Sequence, residues 1–434
     1  MGDVWRFPYV TGQYGGGIFV LVYLIFIFLL GLPIITMELA VGRASQKSIA
    51  TSFDVLQRKG QKWHWLGYAG MAGNYILMMF YTTVAGWMLA YFYKFMVGQF
   101  EGIDTQQIAQ VFTDFIANPA EMTIWMVITT VVCFGICSLG LQEGVEKVTK
   151  VMMVLLLAII VILAAKSMTL PNAGEGLRFY LLPDFNRVKE YGLWEVVYAA
   201  MSQAFFTLSI GIGSLAIFGS YIDKERSLLG ESVHIATLDT IVSLIAGLII
   251  FPACFAFNVD PGQGPGLVFV TLPNIFNSMA GGRIWGSLFF IFMTFAAYST
   301  VIAVFENIIS CGADLWGWSR KKASLLNMIL IIVLSMPCIL GFNVLSWIQP
   351  LGKNTGILDL EDFILSYNLL PLGSLGYVLF CVSRYGWGFE NYIEEANTGK
   401  GLKMPRWLKG YLSWVLPAII IVVLIQGYIN VFGK

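Results

Sequence analysis

Five ionisable side chains fall where an otherwise apolar chain has no cheap place for them: Asp3, Arg6, Glu38, Asp239 and Glu306. Charge inside a membrane-spanning segment is costly and is ordinarily kept for function. Hydroxyls accompany these residues. Asp239 and Ser243 are one helical turn apart and share a face. Thr207 and Ser209 lie in Ser202-Gln203-Ala204-Phe205-Phe206-Thr207-Leu208-Ser209-Ile210-Gly211-Ile212-Gly213, and Ser299-Thr300 follows Phe295-Ala296-Ala297-Tyr298. Carboxylate, hydroxyl and freed carbonyl oxygens are the ligands that a hard cation such as sodium takes. Paired hydroxyls in apolar helices also bond back to their own carbonyls, so Ser299-Thr300 alone decides nothing. Together, the polar residues at 207, 209, 239, 299 and 300 point to one site near the membrane midplane and to ion-coupled transport. Glu38 and Glu306 have a second reading, as acceptors for backbone N–H groups freed by broken helices.

The elements that position these groups are long and apolar. Of 434 residues, 57% are hydrophobic and 12% charged, about half the charge of a soluble domain, so the chain is expected to be a polytopic all-α membrane protein. Stretches long enough to cross run over 18–41, 63–97, 122–140, 145–168, 193–221, 232–257, 284–315, 323–342, 362–382 and 407–432, after a short fragment at 2–14. The fifth is unusual. Thr207, Ser209, Gly211 and Gly213 are weak helix formers where lipid favours Leu or Ile, which fits an unwound wall of a ligand site or small residues for close helix packing.

Loop charge sets the orientation. Residues 43–62 carry Arg43, Lys47, Arg58, Lys59 and Lys62 against Asp54 and are expected inside, as is Arg320-Lys321-Lys322. The connection 98–121 holds Glu101, Asp104, Asp114 and Glu121 with no basic residue and is expected outside, with Asp359, Glu361 and Asp362. Loop 258–282 is long and apolar, and its segment from Phe269 to Phe276 predicts a short helix packed back onto the outer vestibule.

Other classes find little support. Net charge is zero and no basic patch suggests nucleic acid. His64 and His234 are the only histidines, against a His-based zinc site or proton relay. Cys133, Cys137, Cys254, Cys311, Cys338 and Cys381 lie in or beside apolar segments and read as packing residues. No nucleophile with a base or metal cluster is evident, so an enzyme is not expected; nor does a repeated filter suggest a pore.

Gly2-Asp3-Val4-Trp5-Arg6-Phe7-Pro8-Tyr9, followed by Tyr14-Gly15-Gly16-Gly17, resembles the first-helix signature of the neurotransmitter:sodium symporters. Gln203-Ala204-Phe205-Phe206-Thr207-Leu208-Ser209 resembles their sixth helix, and Thr271-Leu272-Pro273 with Ala280-Gly281-Gly282 their fourth exterior loop. The match runs in order along the chain and is similar to the bacterial amino-acid transporter branch with eleven helices. It implies one transporter domain over 1–434: a first repeat over 1–168, an inverted second repeat over 193–385, and helix eleven at 407–432. Helices one and six would be discontinuous. The resemblance also implies that the chain begins part-way through helix one.

By that resemblance the substrate site uses Gly2, Leu77, Tyr81, Phe205, Phe206, Thr207, Ser209, Ile212, Thr300 and Val304. Tyr81 would donate to a substrate carboxylate, Phe206 would cover it, and Leu77, Ile212 and Val304 would receive a hydrophobic or aromatic side chain. Two sodium sites are implied, one with Asp3, Thr207 and Asp239, the other with the Ala296 carbonyl, Ser299 and Thr300. The outer gate would pair Arg6 with Asp362 beside Gln203. Tyr221 and Asp314 match inner-gate positions, with the basic partner of Asp314 upstream of this chain.

Asp3 and Asp239 stand where many relatives carry Asn. Like charges about 4 Å apart at an effective dielectric of 20 cost about 4 kcal/mol, so one of the two carboxyls is expected to be protonated or turned away. Tyr23, Gln203, Thr207 and Ser243 match the chloride-site pattern, yet Asp239 already supplies negative charge there, which favours chloride independence. The expected function is sodium-coupled import of a small hydrophobic or aromatic amino acid across the cytoplasmic membrane by alternating access. The alternative is a sensor that binds its ligand without transporting it. The oligomeric state is left open.

Overall fold

The computed structural model describes residues 6–257, 266–353 and 355–432. Among them every regular element is a helix; an isolated bridge joins Arg226 to Lys400. In chain order, α1 (Phe7–Gln13) leads into α2 (Gly17–Ser45), then the short α3 (Ile49–Leu56) and the long α4 (His64–Met96). Next come α5 (Thr105–Ala117), α6 (Pro119–Ser138), α7 (Gly144–Met168), α8 (Ala173–Leu181) and α9 (Phe185–Tyr191). The second half holds α10 (Leu193–Leu208), α11 (Ala216–Tyr221), α12 (Leu228–Ala256) and α13 (Leu267–Ser278). It ends with α14 (Gly282–Trp316), α15 (Arg320–Gly341), α16 (Ile357–Val382), α17 (Phe389–Asn397) and α18 (Arg406–Phe432).

Among the described residues, nine helices are long and apolar enough to cross a membrane: α2, α4, α6, α7, α12, α14, α15, α16 and α18. Each lies within a few residues of an expected span. The expected tenth, 193–221, is not one helix. Helix α10 ends at Leu208, Ser209 turns into the left-handed region at φ 48°, and helix resumes only at Ala216. Gly211 and Gly213 continue the break at φ 102° and 68°. A Cβ on Gly211 would lie 2.1 Å from the Leu370 carbonyl oxygen, so glycine serves both the backbone angle and the close approach of α16.

Two apolar clusters meet at this break. One joins α4, α6, α7, α13, α14 and α15; the other joins α1, α2, α10, α16, α17 and α18. Ile212 belongs to the first cluster and Ile210 to the second, so the unwound segment lies on their seam. The acidic connection after α4 contains α5, started by Asp104 and Gln107, each accepting the other's backbone N–H at 2.8 and 2.9 Å. Helix α13 fulfils the expectation for the apolar loop, with Phe269 stacked on Phe112 at 5.3 Å and edge-on to Trp87 at 5.5 Å.

Candidate functional site

Unwinding inside a membrane protein frees backbone groups that something must satisfy. Here three buried side chains do so. Glu38, fully buried on α2, accepts the N–H of Gly211 at 2.5 Å and of Leu215 at 3.3 Å. Asn74 on α4 donates to the Ile212 carbonyl at 2.9 Å, and its own oxygen takes a hydrogen bond from Asn307 on α14 at 3.1 Å. Asn307 also donates to the Gly213 carbonyl at 3.3 Å. Glu38 thus has the structural role expected of it. The two asparagines escaped the sequence reading, although an amide in a buried apolar helix is itself a signal that something there needs a donor.

Glu306 departs from that shared expectation. It caps no backbone. The Tyr221 hydroxyl donates to it at 3.0 Å, and Arg320, just past the turn joining α14 to α15, donates to both its oxygens. Arg320 Nε also donates to the Cys137 carbonyl at 2.7 Å. The reason is position: Tyr221, the last residue of α11, and Arg320, the first of α15, both come within reach of Glu306. Asp314, whose partner was expected upstream, accepts from Lys47 Nζ at 3.1 Å and from the Ser48 N–H at 2.7 Å. Tyr221 and Asp314 therefore share an end of the molecule but join separate networks.

Leu77, Tyr81, Ile212 and Val304 all belong to the first apolar cluster, with Phe206 packed against it. Phe205 does not join them; one residue before cluster-facing Phe206, it packs into the second cluster. Thr207 is buried and accepts from Gln203 Nε2 at 3.0 Å, while Ser209, in the break, and Thr300, on α14, are half-buried. Ser299 donates to the Ala296 carbonyl at 2.9 Å, an ordinary back-bond within its own helix. Ser243 donates to the carbonyl of half-buried Asp239 at 3.2 Å, the back-bond common for hydroxyls in apolar helices. Tyr23 is buried in the aromatic stack of Phe7 and Phe19. Gly2 and Asp3 lie outside the described residues.

At the other end, the expected Arg6–Asp362 ion pair is not formed. No carboxylate comes within 4.0 Å of the Arg6 guanidinium among the described residues; it lies 4.1 Å over the Phe206 ring. Asp362 instead accepts from Ser366 Oγ at 2.6 Å, one turn along its own helix.

The family model for the sodium:neurotransmitter symporters matches residues 1–102 and 104–433. The chain belongs to this family. An uncharacterised sodium-dependent transporter of Bacillus subtilis (strain 168), YhdH, is 32% identical over 88% of this chain and 83% of its own length. One from Haemophilus influenzae is 32% identical over 98% of this chain and 93% of its own. The crystal structure of MhsT in complex with L-phenylalanine superimposes with a TM-score of 0.87 at 38% identity, covering 98% of this chain and 95% of that one. The protein is therefore a sodium-dependent symporter of the neurotransmitter:sodium symporter family, with that family's multi-pass helical fold.

Proposed function

We propose that this symporter imports a small hydrophobic or aromatic amino acid across the cytoplasmic membrane by alternating access, driven by sodium. The observation that carries this reading is that Leu77, Tyr81, Ile212 and Val304 share one apolar cluster against which Phe206 packs, with Ile212 itself in the 209–215 break. A charged side chain would be buried there without a partner. The phenylalanine bound to the similar MhsT supports the same class.

In this reading Tyr81 donates to the substrate carboxylate, and Thr207 serves both substrate and sodium. One sodium lies between Thr207 and Asp239 together with Asp3, and a second lies at the Ala296 carbonyl with Ser299 and Thr300. Residues 1–168 and 193–385 act as the two inverted repeats, with 407–432 outside them. Either one of Asp3 and Asp239 carries a proton or the two do not face the ion together; where Asp239 keeps its charge beside Tyr23, Gln203 and Ser243, chloride is not required.

The test is accumulation of labelled L-phenylalanine in proteoliposomes under an inward sodium gradient. Competition by leucine or tryptophan and indifference to aspartate and lysine are expected, with rates unchanged when gluconate replaces chloride. Uptake equal without sodium, or better competition by a charged amino acid, would overturn the reading. Sodium-dependent binding with no accumulation would mark the sensor alternative.

A further inference from the structure

The outer end of α16 holds a carboxyl that the transport reading leaves idle. Glu361 is 4% exposed, and among the described residues no N–H, hydroxyl or cation reaches either carboxyl oxygen; its one polar neighbour is the Cys338 thiol. The side chain is enclosed by α4 and α15. From α4 comes the buried Thr83 hydroxyl, and from α15 the buried thiol of Cys338, which lies between it and Glu361. Cys338 is the one titratable side chain that acts on Glu361, and no cation does. On its own helix, Asp359 is turned to the Gly356 N–H at 2.6 Å and Asp362 to Ser366. An unpaired carboxylate in such surroundings is far costlier than the neutral acid, whose O–H can itself be donated to a neighbouring hydroxyl or sulfur.

The backbone supplies the other half of the argument. Ile357–Asp362 is an α-helical turn and a half, and Phe363–Leu369, directly after it, is wound as a π-helix. Such segments occur at functional sites, and among the described residues four others lie at 27–31, 141–146, 267–271 and 411–415. Here the change of winding separates the short outer piece from the rest of α16, with Glu361 turned into the protein and Asp362 half-buried beside it. Glu361 can ionise at low cost only by leaving its pocket, and any movement that frees it carries Asp362 along.

We propose that Glu361 is a proton-binding site whose proton keeps the outer end of α16 docked between α4 and α15. Loss of that proton releases the segment. The proton site stands on the burial of Glu361 alone; its effect on substrate closure rests on Asp362 acting at the outer gate. A group that holds its proton more tightly when docked favours the docked form fully at low pH, and that bias fades as pH rises.

Infrared difference spectroscopy on the full chain in lipid nanodiscs at neutral pH tests the site. Wild type minus Glu361→Gln should show a protonated-carboxyl C=O band, and Glu361→Asp should shift that band rather than abolish it. A difference spectrum with carboxylate bands alone overturns the proposal. Sodium-dependent binding of L-phenylalanine, as the probe, tests the coupling. The docked form holds Asp362 on Ser366 and away from Arg6, so wild-type affinity should strengthen on the alkaline side by up to about tenfold per pH unit, while Glu361→Gln removes that component. An unchanged pH profile in Glu361→Gln overturns the coupling. A protein that shows the band but binds no L-phenylalanine contradicts the substrate reading and supports the proton site.

Discussion

At the end that loop charge assigns to the cytoplasm, Glu306 is fully buried, holds Arg320 through both oxygens and accepts the Tyr221 hydroxyl. At the opposite end, Arg6 has no carboxylate within 4.0 Å among the described residues and rests on the face of Phe206. Charge closes one end of the broken helix and an aromatic ring lies across the other. A buried ion pair that loses one partner leaves a stranded charge, whereas a guanidinium on a ring gives up little when it moves. The end with Glu306 is thus built as a lock and the end with Arg6 as a lid.

The sharpest way to break that contrast is to remove the cation of the lock. Arg320→Ala should destabilise the protein by about 3–5 kcal/mol, because Glu306 stays buried with only Tyr221 for company. Thermal unfolding of the purified protein in detergent measures it. Adding Glu306→Gln to Arg320→Ala should return much of the loss, since the stranded charge disappears. A double-mutant coupling near zero would mean that the pair is ornamental and the two ends are not different in kind.

Next in size is the joint that both ends share. Asn307→Ala removes the donor to the Gly213 carbonyl and to Asn74. Leaving those acceptors buried without a donor should cost about 1–3 kcal/mol. Sodium-dependent ligand binding should weaken along with stability, because the 209–215 backbone loses its shape. On the lid, Phe206→Leu removes the ring beneath Arg6 and should cost about 0.5–2 kcal/mol, read in ligand affinity rather than in unfolding temperature.

These sites were unequally legible in the sequence, for physical reasons. Spans were readable to within a few residues because burial in lipid needs a long apolar run, and the break at 209–215 was readable because hydroxyls and glycines interrupt one. Glu38 and Glu306 looked alike as buried glutamates in apolar helices. Only the fold tells them apart, by bringing the Gly211 and Leu215 N–H groups to one and Arg320 to the other. Asn74 and Asn307 were missed because their purpose is carried by carbonyls more than 90 positions away in sequence from either. Lys47 was counted only as loop charge, and nothing local to it points to Asp314, 267 positions on.

Two smaller effects set the lower bound of the comparison. Lys47 is 44% exposed in its pair with Asp314, so Lys47→Ala should cost under about 1 kcal/mol and less at high salt. Asp362→Asn should change unfolding stability by no more than about 0.5 kcal/mol, because its charge has no cationic partner among the described residues and its oxygen can still accept from Ser366. Its effect belongs to the closed form. If closing the lid brings Asp362 to Arg6, the substitution should shorten the residence of bound L-phenylalanine without altering the unfolding temperature. If Asp362→Asn destabilises the protein as much as Arg320→Ala does, the outer end is a lock as well, and the division between charge inside and aromatic outside falls.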